Sequence, residues 1–224
     1  MISKKIYEET VGKRIRYDIL LKYETVVNLI KKYKKGKLKI LDVGCGYGFL
    51  SFFADKNWII YGIDLDEERI KRAKNIKQHK NSIFMIGDAE NLNFNKKFDV
   101  ILTLDVIEHL YHPEKYLRLV SKALKKDGIF IVSNPNPHSV WTLLFDNRVI
   151  RLEKHRQYWS TEEFAKMAKK TGFEMIEALP RPFFGEAIGW FIGDYRRVLK
   201  SDLRLGKMFP NNCTGCFLVF KIAS

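Results

Sequence analysis

The sequence has none of the features that are typical of repeat proteins, disordered chains or chains of several linked domains. It has no internal repeat, no low-complexity tract and no linker rich in proline, glycine or serine, and its 224 residues include only six prolines. No run approaches the roughly 18 apolar residues that a membrane-spanning helix needs, and the first residues have no apolar stretch typical of a signal peptide. We therefore expect one domain over residues 1–224 and a cytoplasmic location.

Cysteine is also scarce, with three residues in the chain. Cys45 lies in a glycine-rich segment, where a small side chain fits close to backbone. Cys213 and Cys216 form a single Cys-x-x-Cys, but no second pair or nearby histidine completes a zinc site. This pattern favours buried or incidental thiols.

Acidic residues are fewer than basic ones. The chain has 26 aspartates and glutamates and 40 lysines and arginines, which gives a formal net charge of +14. Such a charge suits binding of phosphate groups in nucleic acid or at an anionic lipid surface. No basic run alternates with aromatic residues as a base-stacking surface would. We therefore interpret most of the charge as solvated surface and keep nucleic acid as an alternative partner.

Short apolar segments alternate with helical ones along the chain, which predicts a parallel sheet with right-handed crossovers. The predicted strands are Leu38–Val43, Trp58–Ile63, Ser82–Ile86, Phe98–Leu104, Gly128–Ser133, Phe173–Leu179 and Gly215–Ile222. The predicted helices are Val11–Lys35, Phe49–Lys56, Asp66–Lys77, Pro113–Lys125, Ser160–Thr171 and Glu186–Lys200. The expected fold is α/β and Rossmann-like, with helices on both sheet faces and an antiparallel C-terminal hairpin at one edge. N-terminal helices (1–37) precede a cofactor-binding core (38–133) and a substrate-side part (134–224).

A glycine-rich loop, Gly44-x-Gly46-x-Gly48, joins the first predicted strand to a helix. Glycines allow a tight turn and a close approach of backbone to a ligand, while the helix start offers unpaired N–H groups. Asp64 follows at the end of the next strand, where a carboxylate accepts hydrogen bonds from ribose hydroxyls. The pattern predicts a nucleoside-binding site.

Two details separate this loop from a site for a nicotinamide or flavin dinucleotide. The spacing lacks the third glycine of Gly-x-Gly-x-x-Gly. Asp42 precedes the loop, and its carboxylate would repel a pyrophosphate but suits a ligand with an ammonium and a sulfonium. S-adenosylmethionine carries both charges.

The ordered motifs from Leu38 to Ser133 resemble those of class I S-adenosylmethionine-dependent methyltransferases. The motifs are Asp42-Val-Gly-Cys-Gly-Tyr-Gly48, Tyr61-Gly-Ile-Asp-Leu-Asp66, Gly87-Asp-Ala-Glu90, the segment from Phe98 to Leu110, and that from Leu124 to Ser133. The resemblance implies a Rossmann-like methyltransferase that binds S-adenosylmethionine and releases S-adenosylhomocysteine.

The resemblance also implies roles for individual residues. Asp42, Gly44 and Gly46 would contact the methionine part of the cofactor, with Cys45 in the same loop and Leu104 nearby. The nucleoside would be held by Asp64 and Leu65 at the ribose and by Asp88 and Ala89 at the adenine.

Proton removal from an acceptor hydroxyl needs a base near the strand ends. The candidate bases are His109, His112, His138 and His155, with Asp105 and Glu108 close by in sequence. We select His109, Glu108 and His155 as catalytic candidates. No Asn-Pro-Pro-Tyr or Asp-Pro-Pro-Tyr tetrapeptide follows the fourth strand, which favours an oxygen or carbon acceptor over an exocyclic amine.

The sequence Asp105-x-x-Glu108-His109-Leu110 is similar to segments of two methyltransferase groups. One comprises the O-methyltransferases of quinone biosynthesis and their small-molecule relatives, also called the type 11 group. The other comprises small-RNA 2′-O-methyltransferases, in which glutamates and histidines hold a divalent metal. Here the first acid is Asp105, with His155 as a distant partner. We assign no metal ligands; Mg²⁺ or Mn²⁺ and a purely structural role remain alternatives.

The segment Pro180–Pro210 is aromatic in its first half and basic in its second. It suits a lid over a lipid-like or phosphorylated acceptor, and equally a helix packed on the sheet. We predict an O-methyltransferase acting on a small-molecule or lipid-like acceptor. The alternatives are an RNA methyltransferase and a non-catalytic S-adenosylmethionine-binding subunit.

Overall fold

The computed structural model describes residues 17–76, 79–93, 97–136, 139, 156–182 and 196–223. Its strands form one seven-stranded sheet within these ranges. The strands are β1 (Lys39–Val43), β2 (Ile59–Asp64), β3 (Ser82–Ile86), β4 (Phe98–Leu104), β5 (Leu124–Pro135), β6 (Phe173–Pro180) and β7 (Gly215–Ile222). The helices are α1 (Tyr17–Tyr33), α2 (Leu50–Phe53), α3 (Glu67–Ile76), α4 (Pro113–Ala123), α5 (Thr161–Lys170) and α6 (Arg196–Met208).

The strand order is β3-β2-β1-β4-β5-β7-β6. Strands β1 to β5 pair in parallel, whereas β7 runs antiparallel to both neighbours, β5 and β6. The predicted Rossmann-like sheet with an antiparallel C-terminal pair is therefore confirmed. Strand β7 lies inside the sheet, which explains why its apolar run from Cys216 to Phe220 is fully buried.

Helices cover both faces of the sheet, so each face has its own apolar core. On one face, Val26 and Ile30 of α1 pack with buried residues of β1 and β2. On the other face, Tyr116 of α4 and Phe164 of α5 pack with Phe130 of β5. Each fully buried side chain of this size contributes roughly 1.5–3 kcal/mol to stability, so both cores hold the strand ends in fixed positions.

Helix α5 begins as its sequence predicts. The Ser160 hydroxyl accepts a hydrogen bond from the Glu163 amide at 3.2 Å, and the Glu163 carboxylate accepts one from the Ser160 amide at 2.8 Å. This reciprocal cap satisfies two amides that a helix start otherwise leaves unpaired. The helix ends before Gly172, whose φ of +90° suits glycine.

Three predicted boundaries are wrong. Helix α2 ends at Phe53, short of Lys56, because the Asp55 carboxylate accepts a bond from the Asn57 amide and favours a turn. Strand β5 begins at Leu124, inside the predicted helix, since Leu124 pairs with Phe98 of β4. The helix predicted over Glu186–Lys200 is observed as α6, which extends to Met208; residues 183–195 lie outside the described residues.

The first 16 residues also lie outside the described part, so the predicted N-terminal helix is observed from Tyr17 onwards. Among the described residues, none of the helices combines the length and apolar character needed to cross a membrane.

Candidate active site

The loop from Gly44 to Gly48 leaves the carboxyl end of β1 and leads into α2. Its three glycines have φ values of +73°, +52° and +69°, a left-handed region that disfavours residues with a Cβ. The amides of Gly44 and Cys45 both donate to the Ile63 carbonyl, at 2.8 and 2.9 Å. These two hydrogen bonds hold the loop against the end of β2. The space where a Cβ of Gly46 would lie is open for at least 4 Å, so a ligand can approach the backbone there.

Asp64 connects this loop to the end of β2. Its Oδ2 accepts a hydrogen bond from the Gly46 amide at 2.8 Å, and its Oδ1 accepts one from the Asp66 amide at 2.9 Å. An ionised carboxylate offers about four acceptor positions. The two that remain can accept hydrogen bonds from a pair of ribose hydroxyls.

Asp42 lies beneath the loop with only 1% of its surface exposed. Its Oδ2 has no hydrogen-bond partner among the described residues. Burial raises the pKa of Asp42 to about 7, while the charge of Lys22 acts in the opposite direction. A buried acceptor without a partner costs free energy, and a cationic ligand above the loop would remove that cost.

The Gly87–Asn91 segment follows β3 at the same edge of the sheet. Asp88 accepts bonds from the Glu90 amide and the Asn91 side chain, at 2.9 and 2.6 Å, so its carboxylate is held in place. Ala89 is buried, whereas Leu65, at the end of β2, is 70% exposed. The exposed Leu65 side chain and the fixed Asp88 carboxylate thus follow two neighbouring strands, an arrangement that suits an adenine ring.

Asp105 follows β4 and has a left-handed backbone, with a φ of 55°, a conformation no other described non-glycine residue adopts. Its carboxylate accepts bonds from Arg181 at 2.8 Å, Lys22 at 3.0 Å and the Ser133 hydroxyl at 2.8 Å. Burial acts to raise the pKa of Asp105, but Arg181 and Lys22 hold it well below its ordinary value. Asp105 is therefore a firmly ionised carboxylate and a weak proton acceptor.

Glu108 and His109 form a short turn beyond Asp105. Glu108 is buried, and its carbonyl accepts bonds from the amides of Arg156 and Gln157 at 2.9 and 3.3 Å. His109 is half-buried. The segment that begins at Arg156 thus lies against this turn.

Of the remaining candidate bases, only His112 belongs to the described part of the chain. His112 is exposed and precedes α4, where its amide donates to Glu90 Oε1 at 2.6 Å. His138 and His155 lie outside the described residues. Within the described ranges, no three histidine, cysteine or acidic side chains form a group able to hold a metal ion.

Cys213 and Cys216 are both buried, and Cys213 Sγ lies 2.9 Å from the carbonyl oxygens of Pro210 and Gly215. A hydrogen bond from Cys216 lowers the pKa of Cys213 to about 7. The pair lies at the start of β7.

The partners of Asp105 were missed by the sequence analysis. Lys22 lies on α1 and Arg181 directly after β6, so each is more than 70 positions from Asp105. No local motif marks either residue. Only the packing of α1 on the sheet face to which β6 also contributes brings the two cations together.

The chain matches a known protein family over most of its length. The family described as a methyltransferase domain matches residues 14–178 of the chain. The chain belongs to this family. It is an S-adenosylmethionine-dependent methyltransferase, as the glycine loop and Asp64 predict.

Two relatives of this methyltransferase are both ubiquinone biosynthesis O-methyltransferases. The protein from Pelagibacter ubique (strain HTCC1062) is 34% identical over 119 residues, 49% of this chain and 50% of that protein. The protein from Coxiella burnetii (strain Dugway 5J108-111) is 26% identical over 195 residues, 82% of this chain and 77% of that protein. The chain thus matches half the length of the first relative and about three-quarters of the second.

Solved structures agree on the fold of the methyltransferase. The crystal structure of magnesium protoporphyrin IX methyltransferase from Synechocystis PCC 6803, with bound SAH, has a TM-score of 0.67 against this chain. The two are 16% identical, and the match covers 98% of this chain and 94% of that one. An identity this low shows a shared fold and nothing about the acceptor.

We predict that Asp64→Ala weakens binding of S-adenosylhomocysteine at least roughly 100-fold, because hydrogen bonds to a charged group contribute about 1.5–3 kcal/mol each. Titration calorimetry measures the affinity, and circular dichroism checks the fold. The matched control is Asp127→Ala, whose side chain is 78% exposed and pairs with Lys34 far from the loop. Near-native affinity of Asp64→Ala would mean that the nucleoside lies elsewhere.

We also predict that binding of S-adenosylmethionine releases a proton at pH 6. Asp42, with a pKa of about 7, is mostly protonated in the free protein, and a bound cation lowers that pKa. Affinity should therefore fall up to about tenfold per unit as pH drops below 7. Calorimetry in two buffers of different ionisation enthalpy measures the release. Asp42→Asn should bind more weakly and release no proton; equal release from both proteins would exclude Asp42 as the source.

Proposed function

We propose that this methyltransferase transfers a methyl group to a hydroxyl oxygen of a small-molecule or lipid-like acceptor. The observation that carries the proposal is the match to a ubiquinone biosynthesis O-methyltransferase over 82% of the chain. That match is long enough to include segments on both sides of the cofactor loop. The buried Glu108 and the adjacent His109 support it, because they add a candidate base to the carboxyl edge of the sheet.

The proposed cofactor site uses residues at the ends of the first four strands. Bound S-adenosylmethionine supplies a methyl group activated by its sulfonium, so that transfer is an in-line displacement. Asp42, Gly44, Cys45 and Gly46 orient the methionine part, with Leu104 beside it at the end of β4. Asp64 and Leu65 hold the ribose, and Asp88 and Ala89 hold the adenine.

The proposed proton acceptor is His109. Neutral imidazole removes a hydroxyl proton well at physiological pH, whereas Asp105 is held in its ionised form by Arg181 and Lys22. Glu108, buried next to His109 in the same turn, orients this part of the chain. His155 remains a proposed contributor, since Arg156 and Gln157 donate to the Glu108 carbonyl.

The acceptor is tested by incubating the protein with methyl-labelled S-adenosylmethionine and a cell extract divided into polar, lipid, RNA and protein fractions. We expect label in the polar or lipid fraction, as a methyl ether. Asp64→Ala, which lacks the ribose-binding carboxylate, should give none. Label confined to RNA would contradict the proposal and favour an RNA methyltransferase. A metal-assisted reaction would then lose activity when a chelator is added and regain it when Mn²⁺ is supplied.

We predict that His109→Gln lowers kcat by about 10²- to 10⁴-fold, the range attributed to loss of a general base. Binding of S-adenosylhomocysteine should change less than roughly threefold, because the cofactor loop does not depend on the imidazole. The matched control is His112→Gln, three residues further on and exposed. Equal kcat values for both variants would exclude His109 as the base.

A further inference from the structure

The Glu90 carboxylate joins two segments of the active site that follow different strands. Its Oε1 accepts a hydrogen bond from the His112 amide at 2.6 Å, and its Oε2 accepts one from the Tyr111 amide at 3.3 Å. Each oxygen thus has its own backbone donor. Hydrogen bonds from backbone amides to a carboxylate are among the stronger ones in proteins, so Glu90 holds the chain at Tyr111 and His112 against its own segment.

The segment that carries Glu90 is the one proposed to bind adenine. The Glu90 amide donates to Asp88 Oδ1 at 2.9 Å, and the Asn91 side chain donates to Asp88 Oδ2 at 2.6 Å. Ala89, between Asp88 and Glu90, is buried in the apolar core. A single short turn therefore contains both the proposed adenine contacts and the carboxylate that reaches the neighbouring segment.

The neighbouring segment carries the proposed base. The His109 amide donates to the Val106 carbonyl at 3.0 Å, which closes the turn. Val106 also packs so closely on the glycine loop that a Cβ at Gly44 would overlap its side chain. The turn with His109 thus contacts the glycine loop at its start, and the chain directly after it contacts the adenine segment through Glu90.

The two amides that bind Glu90 lie at the start of helix α4. His112 precedes the first helical residue, but within the described residues its side chain makes no capping hydrogen bond. A helix start has unpaired amides and favours negative charge, so Glu90 provides this acceptor from another segment. Glu114, in the first turn of α4, is instead 4.0 Å from Arg118.

We propose that Glu90 is a positioning residue that couples cofactor binding to the placement of His109. When adenine is bound, its segment is fixed, and Glu90 keeps the turn with His109 in place. When adenine is absent, the segment and its two hydrogen bonds open more often. Glu90 does not touch the reacting atoms and acts through His109. This inference rests on the proposed function, which assigns the adenine contacts and the base.

Amide hydrogen exchange followed by NMR measures this coupling without any methyl acceptor. S-adenosylhomocysteine is added at about 100 times the Kd of each protein. If the Glu90 bonds open only after adenine leaves, the ligand should slow exchange of the Tyr111 and His112 amides up to about 100-fold. In Glu90→Gln, the side chain has one acceptor oxygen for two amides, so at least one amide should lose this slowing.

The matched control is Glu114→Gln. It removes the same charge from the start of α4 and leaves both hydrogen bonds to Glu90 in place. The ligand should therefore slow exchange as much as in native protein. Circular dichroism checks the fold of each variant. If Glu90→Gln does not fold, exchange in native protein alone still decides, because a merely structural cap would protect both amides equally with and without ligand.

The kinetics of methyl transfer test whether Glu90 acts through His109. Glu90→Gln should lower kcat roughly 10- to 100-fold, the loss expected from a displaced catalytic group, and should change the KM for S-adenosylmethionine much less. The double variant Glu90→Gln with His109→Gln should be no slower than His109→Gln alone, because both changes remove the same contribution.

Two exchange results would overturn the coupling: equal exchange of both amides in native protein with and without S-adenosylhomocysteine, or full slowing of both amides in Glu90→Gln. Additive losses of kcat in the double variant would overturn the action through His109. Absence of methyl transfer by native protein would overturn the proposed function alone, because the exchange measurement uses no acceptor.

Discussion

The reversal of strand order at β1 determines where every group of the active site lies. Strand β1 pairs with β2 on one side and with β4 on the other, so the segments that follow β1 and β4 leave the sheet in opposite directions and open a crevice between them. The glycine loop enters this crevice from β1, Asp64 from β2 and Asp105 from β4. Two apolar cores, one on each face, keep these strand ends from moving apart.

Two carboxylates at this crevice illustrate how environment sets charge. Asp42 is buried with one oxygen unpaired, and burial raises its pKa to about 7. Asp105 has Arg181 and Lys22 against its oxygens and stays ionised. Because the pKa of Asp42 is raised on folding, the folded state loses stability as pH rises from the ordinary value of 3.8 to about 7. Asp42 therefore destabilises the free protein at neutral pH, and a cationic ligand offsets that cost.

The segment from Arg156 to Trp159 links the Glu108–His109 turn to the end of β5. Its amides donate to the Glu108 carbonyl, and the Trp159 carbonyl accepts a bond from Asn134. The capped start of α5 fixes the end of this segment. The turn that carries the proposed base, the end of β5 and the start of α5 are thus parts of one hydrogen-bonded framework.

The features that depend on residues close in sequence could be predicted before the fold was known. The glycine loop, Asp64 and the cap of α5 are local patterns, because a tight turn or a helix start needs particular residues within a few positions. The alternation of strands and helices likewise predicted the parallel sheet. Tertiary structure alone decided the pairing of Asp105 with Lys22 and Arg181, the place of β7 inside the sheet, and the hydrogen bond from Asn134 to Trp159. These depend on contacts between residues 25 to more than 80 positions apart, which leave no periodic or local trace in the chain.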